Sequence, residues 1–271
     1  MGILNVTPDS FSDGGLYLDK DRAVERGLGM VRAGADIIDV GGESTRPGSK
    51  GVGEAEEKRR VLPVIEELSS RTDAVISIDT VKPDVAREAT RLGARLINDV
   101  SMLRYSDDLA RVAAESGADI VLMHSRKTPK DMQDEIVYND VVQDVIDELL
   151  EAAACAETAG IERSRIWLDP GMGFAKTAKD NIELLARLPE LVTTGFPVLV
   201  GPSRKSFIGK LTDSDVDDRL GGSAAAVTAA TMAGAAAVRV HDVAVMHQAA
   251  TIAHMIAECA VEKNKQEIDN A

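Results

Sequence analysis

Short apolar runs alternate with longer amphipathic stretches along the whole chain of 271 residues. Runs of Val, Ile and Leu are typical of parallel strands that are buried on both faces. They predict eight strands, at about 2–6, 36–41, 74–79, 96–100, 119–124, 165–169, 197–201 and 236–240. Apolar positions at helical spacing between them predict helices at about 20–33, 54–69, 83–92, 106–116, 139–159, 179–188, 219–233 and 243–262.

Repetition of the strand–helix unit predicts an α/β fold, a single-domain (β/α)8 TIM barrel. The length suits one such barrel, and no linker or break in composition divides the chain. An open doubly wound sheet is the alternative, but eight evenly spaced units favour closure. We assign residues 1–262 to the barrel domain and 263–271 to a polar C-terminal tail.

Polar or charged residues stand at the end of each apolar run. The loops after the strands form the active sites of such barrels, so this pattern predicts one rim that is built for chemistry. The polar residues at or just after the strand ends are Asn5, Glu43, Ser44, Asp79, Asn98, Asp99, His124, Asp169, Arg204, Lys205, Arg239 and His241.

Two carboxylates and one amide suggest recognition of a planar heterocycle. Asp79 and Asp169 could accept paired N–H donors, and Asn98 offers both a donor and an acceptor. The alternative is that each aspartate caps the turn that follows it, in IDTVKP and LDPG.

Cations follow the second, seventh and eighth strands at Arg46, Lys205 and Arg239, and His241 lies close to the last. Loops seven and eight are the usual phosphate site of this fold. In a protein of net charge −14, three cations at one mouth favour binding of an anion over a role as solvated surface charges.

Net charge and cysteine content limit the other roles. The acidic balance argues against nonspecific binding to nucleic acid or to anionic membranes. Cys155 and Cys259 suit reduced thiols better than a disulfide framework. We see no signal peptide and no apolar run near the roughly 20 residues of a membrane span, and we expect a cytoplasmic protein. The four histidines show no metal-ligand spacing.

Eight motifs, in this order, resemble the dihydropteroate synthase family: NVTPDSFSDGG, DVGGESTRPGS, SIDT, INDVS, LMH, DPGMGF, GPSRKSFIG and VRVHDV. The resemblance spans residues 2 to about 243, and each motif falls at a predicted strand end. It implies a Mg²⁺-associated enzyme that joins 6-hydroxymethyl-7,8-dihydropterin diphosphate to p-aminobenzoate by an SN1-like reaction. The products are dihydropteroate and pyrophosphate, in folate synthesis.

The resemblance also implies a role for each matching residue. The pterin ring is held by Asp79, Asn98, Met123, Asp169, Phe174, Gly201 and Lys205. The diphosphate is held by Asn5, Arg46, Arg239 and His241, with Asn5 also at the metal. The p-aminobenzoate site is framed by Thr45, Pro47, Lys205 and Ser206. The residues expected to act in catalysis are Asp79, Asp169, Lys205, Arg239 and His241.

Three segments depart from the family pattern. LMHSRKTP replaces the more usual LMHMxGTP, GFAK replaces GFGK beside the pterin wall, and GPSRKS carries Pro202 where Thr, Ala or Leu is usual. None of them removes a residue with an expected role. The family is usually dimeric, and the Ala-rich last helices suit the interface of a homodimer.

Two other functions fit the same barrel. A methyltetrahydrofolate–corrinoid methyltransferase domain would share Asp79, Asn98 and Asp169, but it would not need the STRPG and SRKS segments. A noncatalytic pterin-binding paralogue would have lost loop residues such as Asn5, Arg46 or Lys205, all of which are present. Synthase activity is therefore the prediction.

Overall fold

The computed structural model describes residues 1–7, 16–43, 51–106, 108–126 and 137–269. Eight strands are found in these ranges, and each overlaps a predicted strand. They are β1 Gly2–Asn5, β2 Ile37–Gly41, β3 Val75–Asp79, β4 Leu96–Asp99, β5 Asp119–Met123, β6 Ile166–Asp169, β7 Leu199–Val200 and β8 Ala237–Val238.

All strand pairs are parallel, and the sheet closes on itself. β1 to β6 pair in sequence order, and β7 pairs with β8. A bridge between Leu168 and Val198 joins β6 to the start of β7, and a bridge between Gly2 and Val240 joins β8 to β1. The backbone N–H of Ile3 donates to the carbonyl of Val240 at 2.9 Å, which completes the ring. The predicted closed barrel is confirmed, and the open sheet is excluded.

Helices follow the strands and cover the outside of the barrel. In the described ranges they are α1 Leu16–Arg32, α2 Glu54–Arg71, α3 Pro83–Arg91, α4 Asp108–Ser116, α5 Val141–Thr158, α6 Ala178–Ala186, α7 Leu188–Val192, α8 Ser206–Thr212, α9 Leu220–Met232 and α10 Val243–Asp269. Apolar faces such as Val61, Ile65 and Leu68 on α2 are fully buried against the sheet and its neighbouring helices. No helix in the described part of the chain is long and apolar enough to cross a membrane.

Three local features differ from the predictions. The short helix α7 follows α6 after Arg187 and carries Pro189 as its second residue, because proline fits the first turn of a helix but interrupts a continuous one. The helix α8 after β7 was not predicted. The last helix continues beyond the predicted end at residue 262 to Asp269, through Lys, Gln and Glu residues that favour helix.

Alternation along each strand decides what the barrel interior contains. A floor of apolar side chains at the amino ends includes Leu96, Val121 and Leu199, which cluster with Met1. Because side chains alternate between the two faces of a strand, residues two and four positions further along point to the same interior. On β4 the residue two positions after Leu96 is Asn98, and on β7 the position two after Leu199 is Gly201. The polar residues therefore fill the upper barrel.

Candidate active site

Strand register places four of these positions in a row across neighbouring strands. Asn5 pairs with Gly41, Gly41 with Asp79, and Asp79 with Asn98. On the other side of the barrel, Met123 pairs with Asp169. Asp79, Asn98, Met123 and Asp169 are all buried. The parallel ladder thus brings the predicted ring-binding groups to one level of the barrel mouth.

The guanidinium of Arg239 lies between two carboxylates at the centre of this level. Its Nε donates to Oδ2 of Asp39 at 2.6 Å, and its Nη2 donates to Oδ2 of Asp79 at 2.7 Å. Only 17% of the Arg239 side chain is exposed, so both ion pairs are shielded from water. A cation predicted to bind the diphosphate is therefore also a direct partner of a carboxylate predicted to bind the ring.

Asp39 is fully buried in the middle of β2 and was not predicted as a site residue. Oδ1 accepts from the Ser77 hydroxyl at 2.6 Å, and Oδ2 accepts from Nδ2 of Asn98 at 3.0 Å in addition to Arg239. A carboxylate inside a strand that is buried on both faces contradicts the apolar composition expected there, and this signal could have identified it from the sequence.

Asp169 ends β6 and holds the loop that follows. Its Oδ1 accepts from the backbone N–H of Gly171 at 2.7 Å, so the turn-capping alternative holds for one of its oxygens. Gly171 has φ +67, and a Cβ there would stand 1.9 Å from the carbonyl oxygen of His124. Only glycine fits at this close approach of loop six to the end of β5.

Lys205 crosses the mouth towards the same loop. Its Nζ lies 4.0 Å from the centre of the Phe174 ring, a cation–π contact. The aliphatic stem passes Gly173, where a Cβ would stand 3.1 Å from Cδ of Lys205. Lys205 and Phe174 therefore form one wall of the mouth, and Gly201 lies beside Arg239 on another.

Burial shifts the pKa values of the charged groups. Burial raises the pKa of Asp79 to about 7, although the charge of Arg239 opposes the shift. Burial also raises the pKa of Asp169, although the hydrogen bond from the Gly171 N–H and the charge of Lys205 both act to lower it. Burial and the neighbouring Arg239 lower the pKa of Lys205 to about 8. Clusters of such perturbed groups are typical of functional sites, since a ligand can supply the solvation that the protein withholds.

His241 lies at the same mouth and is fixed by Ser203. The backbone N–H of His241 donates to the Ser203 hydroxyl at 3.2 Å, and that hydroxyl lies 3.1 Å from Nδ1 of the ring. The Ser203 hydroxyl keeps its own hydrogen and a second lone pair, so it can donate to Nδ1 or accept from Nδ1–H. Burial, Arg239 and Arg204 lower the pKa of His241 to about 4. The imidazole is therefore neutral at pH 7.

Behind loop six, Lys176 binds the loop to β5. Its Nζ lies 2.9 Å from Nδ1 of His124 and donates to the carbonyls of Gly171 and Phe174 at 3.2 and 3.1 Å. The three N–H groups of the Lys176 ammonium thus meet three acceptors, one ring nitrogen and two carbonyl oxygens. Burial lowers the pKa of Lys176 to about 7. This contact fixes the backbone of the wall that carries Phe174, and its role was not predicted.

The departures from the family pattern in loops five and six can be located in the structure. In loop five, Arg126 pairs with Glu148 at 2.6 Å and with Asp144 at 3.0 Å, so it ties the loop to α5. In loop six, Ala175 takes the left-handed conformation, with φ +51. Glycine, which is usual at this position of the family motif, adopts that conformation without strain.

The start of loop two is held by a partly buried ion-pair cluster. Lys82 pairs with Glu43 at 2.6 Å and contacts Glu57, which is almost fully buried. Arg60 donates to the carbonyl of Gly42 at 2.9 Å. These bonds fix the chain up to Glu43, immediately before the residues predicted to frame the second substrate.

The structure therefore gathers most, but not all, of the predicted residues. Arg239 bonds to Asp79 directly and to Asn98 through Asp39, and Asp169 and Lys205 interact with Arg239 electrostatically. Ser206 is exposed at the first position of α8. Thr45, Arg46 and Pro47 lie outside the described residues. The contributing residues that were not predicted are Asp39, Ser77, Ser203, Lys176 and Lys82.

Comparison with known proteins defines the class. Residues 1–241 match the family described as pterin binding enzyme. The barrel and its polar mouth are thus those of a pterin-binding enzyme.

Individual relatives narrow the class. The dihydropteroate synthase of Escherichia coli strain K12 is 49% identical over 243 residues, which are 90% of this chain and 86% of that protein. The structure of Xanthomonas albilineans dihydropteroate synthase with 4-aminobenzoic acid has 46% identity and a TM-score of 0.87, covering 94% of this chain and 92% of that one. A Yersinia pestis dihydropteroate synthase with a sulfonamide drug complex has 43% identity and a TM-score of 0.89, covering 95% and 94%.

The chain belongs to the dihydropteroate synthase family. Its activity is accordingly that of an alkyl transferase of folate biosynthesis, which confirms the predicted function and excludes the methyltransferase alternative.

Proposed function

We propose that the two ends of one substrate, 6-hydroxymethyl-7,8-dihydropterin diphosphate, bind to two adjoining parts of this mouth. The carboxylate part is formed by Asp79 and Asp169 with Asn98. The cationic part is formed by Arg239 and His241, and Lys205 lies between them. The observation that carries the proposal is that buried carboxylates and a buried cation lie in direct contact at one mouth. The carboxylates favour a ligand group that donates hydrogen bonds, and the cation favours an anionic ligand group.

The ring-binding role rests on which atoms remain for a ligand. Asp169 uses Oδ1 for the Gly171 N–H, which leaves Oδ2 for a ring donor. Nδ2 of Asn98 faces Asp39, which leaves Oδ1 as an acceptor at the mouth. Met123, Phe174 and Gly201 complete the pocket as apolar or small surfaces against a flat ring.

The leaving-group role rests on Arg239 and His241. Arg239 uses Nε and Nη2 for carboxylates, so Nη1 is the atom of its planar fork that is left for a diphosphate oxygen. His241 is neutral, and with Nδ1 accepting from the Ser203 hydroxyl it would present Nε2–H as a second donor. Arg46 adds a further cation from loop two. Donors fixed in advance stabilise negative charge that develops on the departing oxygen.

Mg²⁺ suits this site as a partner of the diphosphate. In the described part of the chain, no three His, Cys, Asp or Glu residues form a metal cluster. Oδ1 of Asn5 and Oδ2 of Asp79 both lie 3.7 Å from the point where a Cβ of Gly41 would stand, so oxygens face this spot from two sides. Mg²⁺ commonly binds through few protein oxygens together with phosphates and water, and Asn5 would hold it here. Bound Mg²⁺ would neutralise charge on the leaving diphosphate.

The second substrate, p-aminobenzoate, binds beside Lys205. Thr45 and Pro47 of loop two and Ser206 at the start of α8 frame its site, and the bonds of Lys82 to Glu43 fix the base of that loop. 4-Aminobenzoic acid is bound by the Xanthomonas albilineans relative, which supports this assignment. Sulfonamides, which resemble p-aminobenzoate, should compete for the same place.

The chemical step then follows an SN1-like course. The C–O bond to the diphosphate breaks first and the oxygen keeps the electron pair, while Arg239 and His241 stabilise the resulting anion. Asp79 and Asp169 stabilise the positive charge left on the pterin. The amine of p-aminobenzoate forms the new C–N bond and loses a proton, which yields dihydropteroate.

We also propose a homodimer that is formed by α9 and α10, and a cytoplasmic location. Large apolar side chains are exposed on these two helices, and burial against a second copy would remove them from water. They are Leu220, Met232, Val245, Ile252, Met255 and Ile256. Both cysteines, Cys155 and Cys259, are free and exposed, which suits a reducing compartment.

The test separates the two parts of the mouth with two ligands. Calorimetry measures the affinity for 6-hydroxymethylpterin and for its diphosphate in Asp169→Asn and His241→Gln. We expect Asp169→Asn to lower the affinity for both ligands by a similar factor, because both carry the ring and Asp169 makes no hydrogen bond to Arg239. We expect His241→Gln to lower only the affinity for the diphosphate. Equal losses for both ligands in both variants would contradict the division of roles.

A further inference from the structure

Asp39 contacts one residue of each part of the mouth, yet it is fully buried below them. Its Oδ2 accepts from Nδ2 of Asn98 at 3.0 Å and from Nε of Arg239 at 2.6 Å. Its Oδ1 accepts from Ser77 at 2.6 Å. These donors come from three other strands or strand ends, so the position of the carboxylate in the barrel is fixed from several sides.

The contact with Asn98 decides which way that amide points. Nδ2 of Asn98 donates to Oδ2 of Asp39, so the amide faces Asp39 with its NH2 group. Oδ1 of Asn98 is then turned to the mouth as an acceptor. Without Asp39 the amide could rotate and present its donors, which would suit a different set of ring atoms.

The contact with Arg239 decides how its donor fork is used. The guanidinium is held by Asp39 through Nε and by Asp79 through Nη2, at 2.6 and 2.7 Å. Two anchors on a planar group fix both its plane and its rotation. Nη1 is thereby directed by the protein before any anion arrives, and little ordering is left for the substrate to induce.

We propose that Asp39 is a positioning residue for the reaction: it sets the amide of Asn98 for the pterin ring and the plane of Arg239 for the leaving group. It acts from below the substrate and through these two side chains. The inference rests on the proposed roles of Asn98 and Arg239, so its test must separate a failure of Asp39 from a failure of those roles.

The experiment is a double-mutant cycle on ring binding. Calorimetry with 6-hydroxymethylpterin compares the wild type, Asp39→Ala, Asn98→Ala and the double variant. We expect Asp39→Ala to weaken binding about tenfold, the worth of one oriented hydrogen bond. In the Asn98→Ala background the same change should have an effect of less than about twofold, because the group through which Asp39 acts is gone.

Two further variants guard against simple misfolding. Asp39→Asn keeps an acceptor oxygen for Asn98 and Arg239 and can donate to the Ser77 hydroxyl, so ring affinity should return to within about threefold of the wild type. For the diphosphate, Asp39→Asn should still lower kcat/KM, because Arg239 loses a charged anchor. Ser77→Ala is the matched control, since it removes only the bond to Oδ1, and its effect on ring affinity should be smaller than that of Asp39→Ala.

The outcomes distinguish the hypotheses. If Asp39→Ala and Asn98→Ala weaken binding by independent, multiplying factors, Asp39 is only structural and the inference is overturned. The same conclusion follows if Asp39→Asn binds the ring as poorly as Asp39→Ala. If Asn98→Ala binds the ring like the wild type, the proposed role of Asn98 has failed, and the inference for that residue fails with it.

Discussion

Replacement of Asp169 by asparagine removes one charge from the ring pocket and changes almost nothing else. The asparagine side chain is isosteric with aspartate, and its Oδ1 can still accept from the Gly171 N–H, the bond that measures 2.7 Å in the wild type. The NH2 group then replaces Oδ2, so two donors face each other and the hydrogen bond to the ring is lost. One charge-assisted hydrogen bond is worth about 1.5–3 kcal/mol. The affinity for 6-hydroxymethylpterin should therefore fall by roughly 10- to 150-fold.

The assay is calorimetric titration near neutral pH, with circular dichroism to confirm folding. Asp99→Asn is the matched control. Asp99 is also a buried carboxylate, but its oxygens accept from Ser101 and from the backbone N–H of Leu103 in the turn after β4. We expect Asp99→Asn to lower stability and to leave the affinity unchanged. Unchanged affinity in folded Asp169→Asn would refute the assignment of Asp169 to the ring.

Three more predictions test other parts of the mouth and its supports. Lys205→Met keeps the aliphatic stem against Phe174 but removes the charge, so affinities for pterin and p-aminobenzoate should each fall at least about tenfold in titrations; a change in melting temperature alone would make Lys205 structural. Ala175→Gly removes the strain of a left-handed alanine, about 1–2 kcal/mol, and adds the entropy cost of glycine, about 0.5–1 kcal/mol. The Tm measured by calorimetry should therefore rise by roughly 1–3 °C, and a lower Tm would contradict this. Burial and Lys176 lower the pKa of His124 from 6.5 to about 4. As the pH falls from 6.5 to 4, the unfolded chain binds a proton at this histidine before the folded chain does, so the free energy of unfolding drops by on the order of 3 kcal/mol. His124→Asn keeps an acceptor for Lys176 and should reduce this loss of stability in urea unfolding compared at pH 7 and near pH 4; an equal loss in the variant and the wild type would contradict the prediction.

Strand positions and inward-facing polar residues could be predicted because both follow from local periodicity. Asp79, Asn98 and Asp169 each stand at or near a strand end, and parallel strands align such ends at one rim. Arg239 and His241 alternate with Val240 just after β8, so the sequence also predicted that their side chains point to the same side. These relations require only the sequence of each element and the handedness of its connections.

Partners across the barrel could not be predicted in the same way. The contact between Asp39 and Arg239 joins residues 200 positions apart, and neither the distance nor the angle is encoded by either strand alone. The same is true of the contact between Lys176 and His124, which depends on how tightly loop six packs at Gly171. The shift of the His241 pKa to about 4 is also a property of burial and of Arg239. From the sequence, we would have expected titration between about pH 5 and 8.

Short helices were missed for a related reason. α7 and α8 are too brief to show a helical period, and their existence depends on Pro189 and on the packing of Phe207 and Ile208. β7 is flanked by Pro197 and Pro202, which cannot donate ladder bonds, and it is accordingly only two residues long. Such boundaries are set by tertiary contacts and not by local pattern.

The central claim is that one mouth binds the pterin ring, releases the diphosphate and passes the pterin to an amine. The most direct test incubates the protein with 6-hydroxymethyl-7,8-dihydropterin diphosphate, p-aminobenzoate and Mg²⁺ and quantifies both products. We predict dihydropteroate and pyrophosphate in equal amounts, with Asp169→Asn and Lys205→Met strongly impaired. Tight binding of the pterin diphosphate without either product would contradict the claim and would identify a noncatalytic pterin-binding protein.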